Sequence, residues 1–183
     1  SAATYTFTGD TGRTNSTNKS TLPWDFGHNV RHPGDALGFV TADSSTGGLN
    51  AGTNRLRLLS ASEQVTGITA PATLNAFENL NLSTAVSSST TYNILNSWQV
   101  NSLQLSSGGS LSVDSHLRAF TIESGGVLAL GGSSGISGNG YFTTTSNREL
   151  IIYNIADLNM GIAIAGTSGG LTKSGSGKLT LAA

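Results

Sequence analysis

Leu103-Gln104-Leu105-Ser106-Ser107-Gly108-Gly109-Ser110-Leu111-Ser112-Val113 sets apolar side chains two apart, then a polar pair and Gly-Gly, then two more apolar side chains two apart. Alternation at a period of two marks a strand with one buried face, and a Gly-Gly pair between two such runs marks a tight corner. The arrangement returns in Phe120-Thr121-Ile122-Glu123-Ser124-Gly125-Gly126-Val127-Leu128-Ala129-Leu130, with Phe120 in the place of Leu103. It returns again in Leu171-Thr172-Lys173-Ser174-Gly175-Ser176-Gly177-Lys178-Leu179-Thr180-Leu181, three such intervals beyond the second copy.

Strand, corner and strand repeated at a fixed interval predict stacked coils. Backbone hydrogen bonds then run between coils, and alternate side chains fill one narrow core. Seventeen residues at about 3.3 Å each give a coil of roughly 55 Å, room for three short strands. The expected fold class is all-β: a right-handed parallel β-helix, or β-solenoid, with an irregular N-terminal capping segment.

Working outward, further strands are expected at Leu150-Ile151-Ile152-Tyr153 and along Leu158, Met160, Ile162 and Ile164. Shorter runs lie at Leu56-Arg57-Leu58, Ile68, Leu80-Asn81-Leu82 and Ile94 to Val100, separated by Ser, Thr and Asn clusters that read as turns. Ala72 to Leu82 is the one stretch with some helical character, and Asn75, Asn79 and Asn81 argue against a helix there.

Residues 1–50 differ, holding Pro23, Pro33, His28, His32 and Trp24 in turn-rich sequence. They are expected to cover an end of the solenoid, where unpaired strand edges invite aggregation, leaving 51–183 as the β-helix repeats. Leu179 and Leu181 finish a strand close to Ala183, and the native chain is expected to continue past them.

Composition narrows the function classes. Only 10% of the 183 residues are charged, while 37% are hydrophobic and the net charge is −1. A chain that apolar and that weakly charged can bury a core, whereas disorder pairs low hydrophobicity with high net charge. Ser and Thr make up roughly a quarter of the residues, so solubility rests on hydroxyls and amides. The charge balance provides no footprint for nucleic acid or an anionic membrane. The absence of Cys removes thiolate metal sites, thiol nucleophiles and disulfides, and suits passage through an oxidising compartment.

The segment Gly169-Gly170-Leu171-Thr172-Lys173-Ser174-Gly175-Ser176-Gly177-Lys178-Leu179-Thr180-Leu181 resembles the autotransporter-associated β-strand repeat, also called the passenger-associated transport repeat. Its pattern is Gly-Leu-Thr-Lys, a small residue, Gly, a small residue, Gly, any residue, then Leu-Thr-Leu. Glu149-Leu150-Ile151-Ile152 through Ile162-Ala163-Ile164-Ala165-Gly166 is similar to the lead-in of such repeats, so the resemblance spans about residues 148–183. Residues 93–147 fit more loosely, and 1–92 by general character. The resemblance implies an exported bacterial protein whose parallel β-helix passenger is carried to the cell surface by a C-terminal translocator barrel. Lys173 departs from the aligned copies: it falls where Leu105 and Ile122 stand, and an inward, unpaired Lys is costly to bury.

Spacing decides the chemical motifs. Gly175-Ser176-Gly177-Lys178-Leu179-Thr180 lacks the first Gly of a phosphate loop, which is Thr172 here, and has Leu179 where Ser or Thr must follow the Lys. It reads as a turn. Asp25-Phe26-Gly27-His28-Asn29-Val30-Arg31-His32-Pro33-Gly34-Asp35 is the one ligand-capable cluster, but Gly27, Pro33 and Gly34 oppose the helix that would align its His pair. Asp114, Glu123, Glu149 and Asp157 are scattered acids without the pairing that carbohydrate cleavage needs. Gly-x-Ser-x-Gly occurs around Ser133 and Ser168, in Gly/Ser-rich turns with no helix following. Trp24, Tyr92, Trp98 and Tyr141 are candidates for stacking on sugars or for covering the coil's corners. Three glycosylation sequons, at Asn15, Asn18 and Asn81, are expected by chance in a chain so rich in Asn, Ser and Thr.

The expectation is a non-enzymatic structural or adhesive segment of an exported bacterial cell-surface repeat protein, with no catalytic, metal or cofactor-binding residues. The alternative is a passive stalk or self-assembling surface-layer or fibre spacer, and a minority reading is a carbohydrate-active β-helix. Expected partners are a host cell, a matrix protein, a glycan or neighbouring repeats, and neither nucleic acid nor a membrane around this portion. The expected location is extracellular or at the bacterial surface.

Overall fold

Short alternating runs separated by glycine corners cannot bury their apolar faces alone, so each must stack on the next. In the computed structural model, which describes residues 8–11, 16–28, 37–42, 56–66, 74–87, 98–113, 118–132, 134–145, 148–166 and 168–182, they do so. The chain is nearly all β and forms a parallel β-solenoid of about four turns. Among the described residues the helical structure is a single 3-10 turn at Ala61–Glu63.

The N-terminal part is a four-stranded antiparallel sheet in the order β1 (Thr8–Thr11), β2 (Lys19–His28), β3 (Leu37–Ala42) and β4 (Leu56–Leu58). The solenoid begins at β5 (Val65–Thr66). One rung follows with β6 (Asn79–Leu82), β7 (Ala85–Ser87) and β8 (Trp98–Val100), and the next with β9 (Ser102–Leu105), β10 (Ser110–Ser112) and β11 (Ala119–Ile122). Then come β12 (Gly126–Ala129) and the long β13 (Ser134–Thr144), which serves two faces and shifts register between Ser137 and Tyr141. The last are β14 (Leu150–Asn154) with β15 (Leu158–Ile164), and β16 (Leu171–Ser174) with β17 (Leu179–Leu181).

The rung is longer than the interval read from the sequence. Leu103 pairs in parallel with Val127, not with Phe120, and Val127 pairs in turn with Ile152. Phe120 pairs with Trp98 and Phe142 on another face. Past the short opening step from Val65 to Leu80, even the tightest steps, Leu150 to Leu171 and Leu158 to Leu179, exceed the step from Leu103 to Phe120. The sequence interval superposes β9 and β10 on β11 and β12, which are faces met one after another along the winding chain. All three faces share the alternation and the glycine corner, so local pattern alone slips between them. The correction moves Lys173 as well. It stands beneath Ile152, in the inward column Leu80–Leu103–Val127–Ile152, rather than beside Leu105 and Ile122. There the Lys173 side chain is exposed on the outermost described rung, and its Nζ donates to the Gly175 carbonyl at 2.7 Å.

The core is a set of such columns. Leu82, Leu105 and Ala129 form one; Leu111, Ile136 and Met160 form another. Trp98, Phe120 and Phe142 stack along the third face, with Phe120 and Phe142 at 5.7 Å and 12°, and Trp98 edge-on to Phe120 at 6.1 Å and 73°.

The described contacts of the N-terminal sheet fall on a flank of the coils, where the sequence reading placed this segment over an end. Leu128 points away from the core between inward Val127 and Ala129, and packs against Phe39 and Leu59. A side chain at Gly126 would meet the Phe39 ring at 2.8 Å, so this glycine makes room for the strap. The antiparallel sheet runs to Leu58, beyond the expected boundary near residue 50.

Candidate functional site

Among the described residues, those singled out in the sequence do not gather into one site. Glu123 and Glu149 lie at one corner on successive rungs, where a Cβ on Gly125 would meet the Glu149 carbonyl oxygen at 2.1 Å. Each carboxylate is engaged: Glu123 accepts from the Gln99 amide, and Glu149 from the Thr172 hydroxyl. Asp157 stands at a different corner, before β15, and accepts the Lys178 N–H at 2.8 Å. Asp114, Tyr92, Asn15, His32, Asp35 and Ser133 lie outside the described residues. His28 ends β2 opposite Leu37. No group of three or more potential metal ligands occurs among the described residues.

Ser168 sits in the turn between β15 and β16, with a strand rather than a helix following. Gly175 to Lys178 form the corner between β16 and β17, again without a helix. Trp98 is 6% exposed and belongs to the aromatic column of the core, so it is not a platform for sugars; Tyr141 is half-buried on the outer side of β13. Asn81 is tied into the solenoid, donating to Gln64 Oε1 at 2.7 Å and accepting from the Ser106 hydroxyl at 2.7 Å.

Among the described residues, one open, chemically capable surface is a shallow trough of about 750 Å³ across the outer face of β13, β15 and β17. Alternation builds it. Ile136, Leu158 and Met160 point into the core, so Gly135, Ser137, Asn159 and Gly161 between them point out. Cross-rung pairing places Gly135, Asn159 and Thr180 in one row and Ser137 beside Gly161 in the next. Asp157 sits at its edge. Of the outward residues the sequence names Asp157 among its scattered acids and Thr180 within the repeat segment, and neither as part of a trough. The available signal was the presence of glycines at outward positions inside strands rather than at corners.

No family model, no curated protein and no solved structure matches the chain. Its class is therefore defined by the fold, a parallel β-solenoid strapped along one flank by an antiparallel sheet.

Proposed function

We propose that the chain is a structural and adhesive segment of an exported bacterial cell-surface repeat protein of the autotransporter-passenger kind. One observation carries this reading. The segment resembling the passenger-associated repeat folds as a strand, a glycine corner and a strand, with β16 in parallel register on β14 and β17 on β15. Gly175 takes φ 84° at that corner, and a Cβ on Gly177 would meet the Ala156 carbonyl oxygen at 2.2 Å, so both corner glycines of the motif serve stacking on the rung below.

The mechanism is architectural. Hydrogen bonds between rungs and continuous apolar columns make a stiff element that folds rung by rung without an energy source outside the cell. Small polar residues on the outer faces resist nonspecific association and offer many weak contacts to a host cell, matrix protein or glycan. The reading is non-enzymatic.

A second reading is a stalk or self-assembling spacer, which the continuous apolar columns of the stacked rungs, Leu80, Leu103, Val127 and Ile152 among them, serve equally well. Binding of the labelled chain to host cells, immobilised matrix proteins and glycans discriminates the two. Retention on any of them supports adhesion. Retention on none, with concentration-dependent association in solution, supports the spacer. A leader and a translocator-barrel pattern in the flanking coding sequence are expected on the export reading, and their absence would overturn it.

A further inference from the structure

Most glycines of the solenoid are demanded by its geometry. A Cβ at Gly109, Gly131, Gly138, Gly169, Gly175 or Gly177 would come within 2.0 to 2.4 Å of backbone atoms. The trough is different. At Gly135 the nearest atom a Cβ would meet is the Asn159 carbonyl oxygen at 3.6 Å, and at Gly161 the Ala182 carbonyl oxygen, also at 3.6 Å. At Gly132, on the same trough, nothing lies within 4 Å. None of the three has a positive φ. Gly135 and Gly161 sit inside strands, where glycine weakens the sheet and gives nothing to pack. A glycine inside a strand marks a bulge, a tight bend, or a place where a ligand or another backbone comes close. Gly135 lies in regular pairing and no backbone closes on it or on Gly161, which leaves the ligand.

We propose that this trough binds an uncharged polysaccharide lying along the solenoid axis, over the bare backbone of Gly135 and Gly161. Asn159, Thr180, Ser137 and Asp157 supply the hydrogen bonds. The proposal names the ligand class for the adhesive reading above and rests on it.

Three observations select that chemistry. The backbone groups of β13 and β15 beneath the trough are already paired between rungs, so a peptide cannot be captured there by strand addition. The polar side chains of the lining are hydroxyls, one amide and one carboxylate with no basic group, beside Ile136, Leu158 and bare glycines, which suits the hydroxyls and C–H faces of a neutral sugar and disfavours an anionic chain. Rungs recur about every 4.7–4.9 Å, close to the advance per sugar of an extended glycan, so one row of polar groups meets successive sugars. With no aromatic platform in the lining, each contact is modest and affinity grows with the length of chain engaged.

The test uses the full chain in affinity electrophoresis and calorimetry against dextran, galactomannan and xyloglucan, with heparin as an anionic comparison. Wild type is expected to bind at least one neutral polymer, and to bind short oligosaccharides of the same sugar more weakly. Gly135→Val and Gly161→Val place a strand-favouring side chain in the floor. They are expected to lower polymer affinity about tenfold or more while the melting midpoint stays equal or rises. Gln99→Ala, exposed on another face, is expected to bind as wild type.

Folded valine variants that bind as wild type overturn the proposal, as does failure of every neutral polymer to bind. If the chain still binds cells or matrix proteins in either case, the adhesive reading stands and only the trough is lost. If it binds nothing at all, both fall.

Discussion

The Nδ2 of Asn101 donates to the Oδ1 of Asn79 at 2.8 Å, joining two successive rungs through buried amides at one corner. The Ser102 hydroxyl donates to that same Oδ1 at 2.7 Å, while the Nδ2 of Asn79 reaches the carbonyls of Thr17 and Lys19 at 3.2 and 2.7 Å. One side chain thus links rung to rung and the solenoid to its flanking strap. Removing it takes the acceptor from the buried Ser102 hydroxyl and weakens the pairing of its neighbours, although Asn101 Nδ2 keeps Thr21 Oγ1 at 3.3 Å and the Thr17 carbonyl keeps the Asn79 N–H at 3.1 Å. A buried polar group left unpaired costs about 1–3 kcal/mol. Asn79→Ala is expected to lower unfolding free energy by about 3 kcal/mol in urea titration and to expose the N-terminal sheet to limited proteolysis. A loss near zero with unchanged proteolysis would show that the strap is held elsewhere.

The junction between strap and solenoid carries an ion pair. Arg57 on β4 donates through Nη1 and Nη2 to the two carboxylate oxygens of Glu63, both at 2.7 Å, and Glu63 also accepts the Ser60 N–H at 3.0 Å. The Glu63 side chain is 0% exposed and that of Arg57 27%. Removing one partner of a buried pair is strongly destabilising because the other charge stays buried. Arg57→Ala is expected to cost about 3 kcal/mol, and Arg57→Ala with Glu63→Leu distinctly less than the single change, read from chemical denaturation of the cycle. A double variant no better than the single would contradict this.

Stacked coils were legible because Leu103, Leu105 and Leu111 alternate around Gly-Gly, and alternation is a local property. The rung length was not. Leu103 and Phe120 look alike in sequence, yet one lines the β9 face and the other the β11 face of the same coil. Only long-range pairing distinguishes faces that share a pattern. Trp98 was ambiguous for the same reason: its inward position depends on stacking against Phe120, one rung further on. The flank packing of Phe39 on Leu128 left no periodic trace, since it uses an outward position that reads as solvent-facing. The trough was hidden because Gly135 and Gly161 resemble every other glycine until the space around each is known.

The aromatic column makes a separable prediction. Phe120 is fully buried, stacked on Phe142 and met edge-on by Trp98. Its truncation opens a cavity between neighbours on two rungs, whose backbones are held in register by inter-rung hydrogen bonds and cannot close in. Phe120→Ala is expected to cost about 3–5 kcal/mol. Phe120→Leu, which retains most of the volume, is expected to cost much less. Differential scanning calorimetry of the pair checks the ordering, and equal effects would mean that the column relaxes along the axis.

Gly109 and Gly161 test the logic of the trough from the side of stability. A Cβ on Gly109 would stand 2.0 Å from the Leu82 carbonyl oxygen, which already accepts the Ser106 N–H at 2.8 Å between rungs. Backbone cannot rotate away as a side chain can, so Gly109→Ala must push two rungs apart, an overpacking cost of about 3 kcal/mol. A Cβ on Gly161 meets nothing closer than 3.6 Å. Removing glycine's conformational freedom there is expected to leave stability unchanged or to raise it by about 0.5–1 kcal/mol. Thermal melts of the two alanine variants decide it. A Gly161→Ala variant as unstable as Gly109→Ala would mean that the fold itself requires the glycine, and would remove the reason for reading the trough floor as a surface kept bare for a ligand.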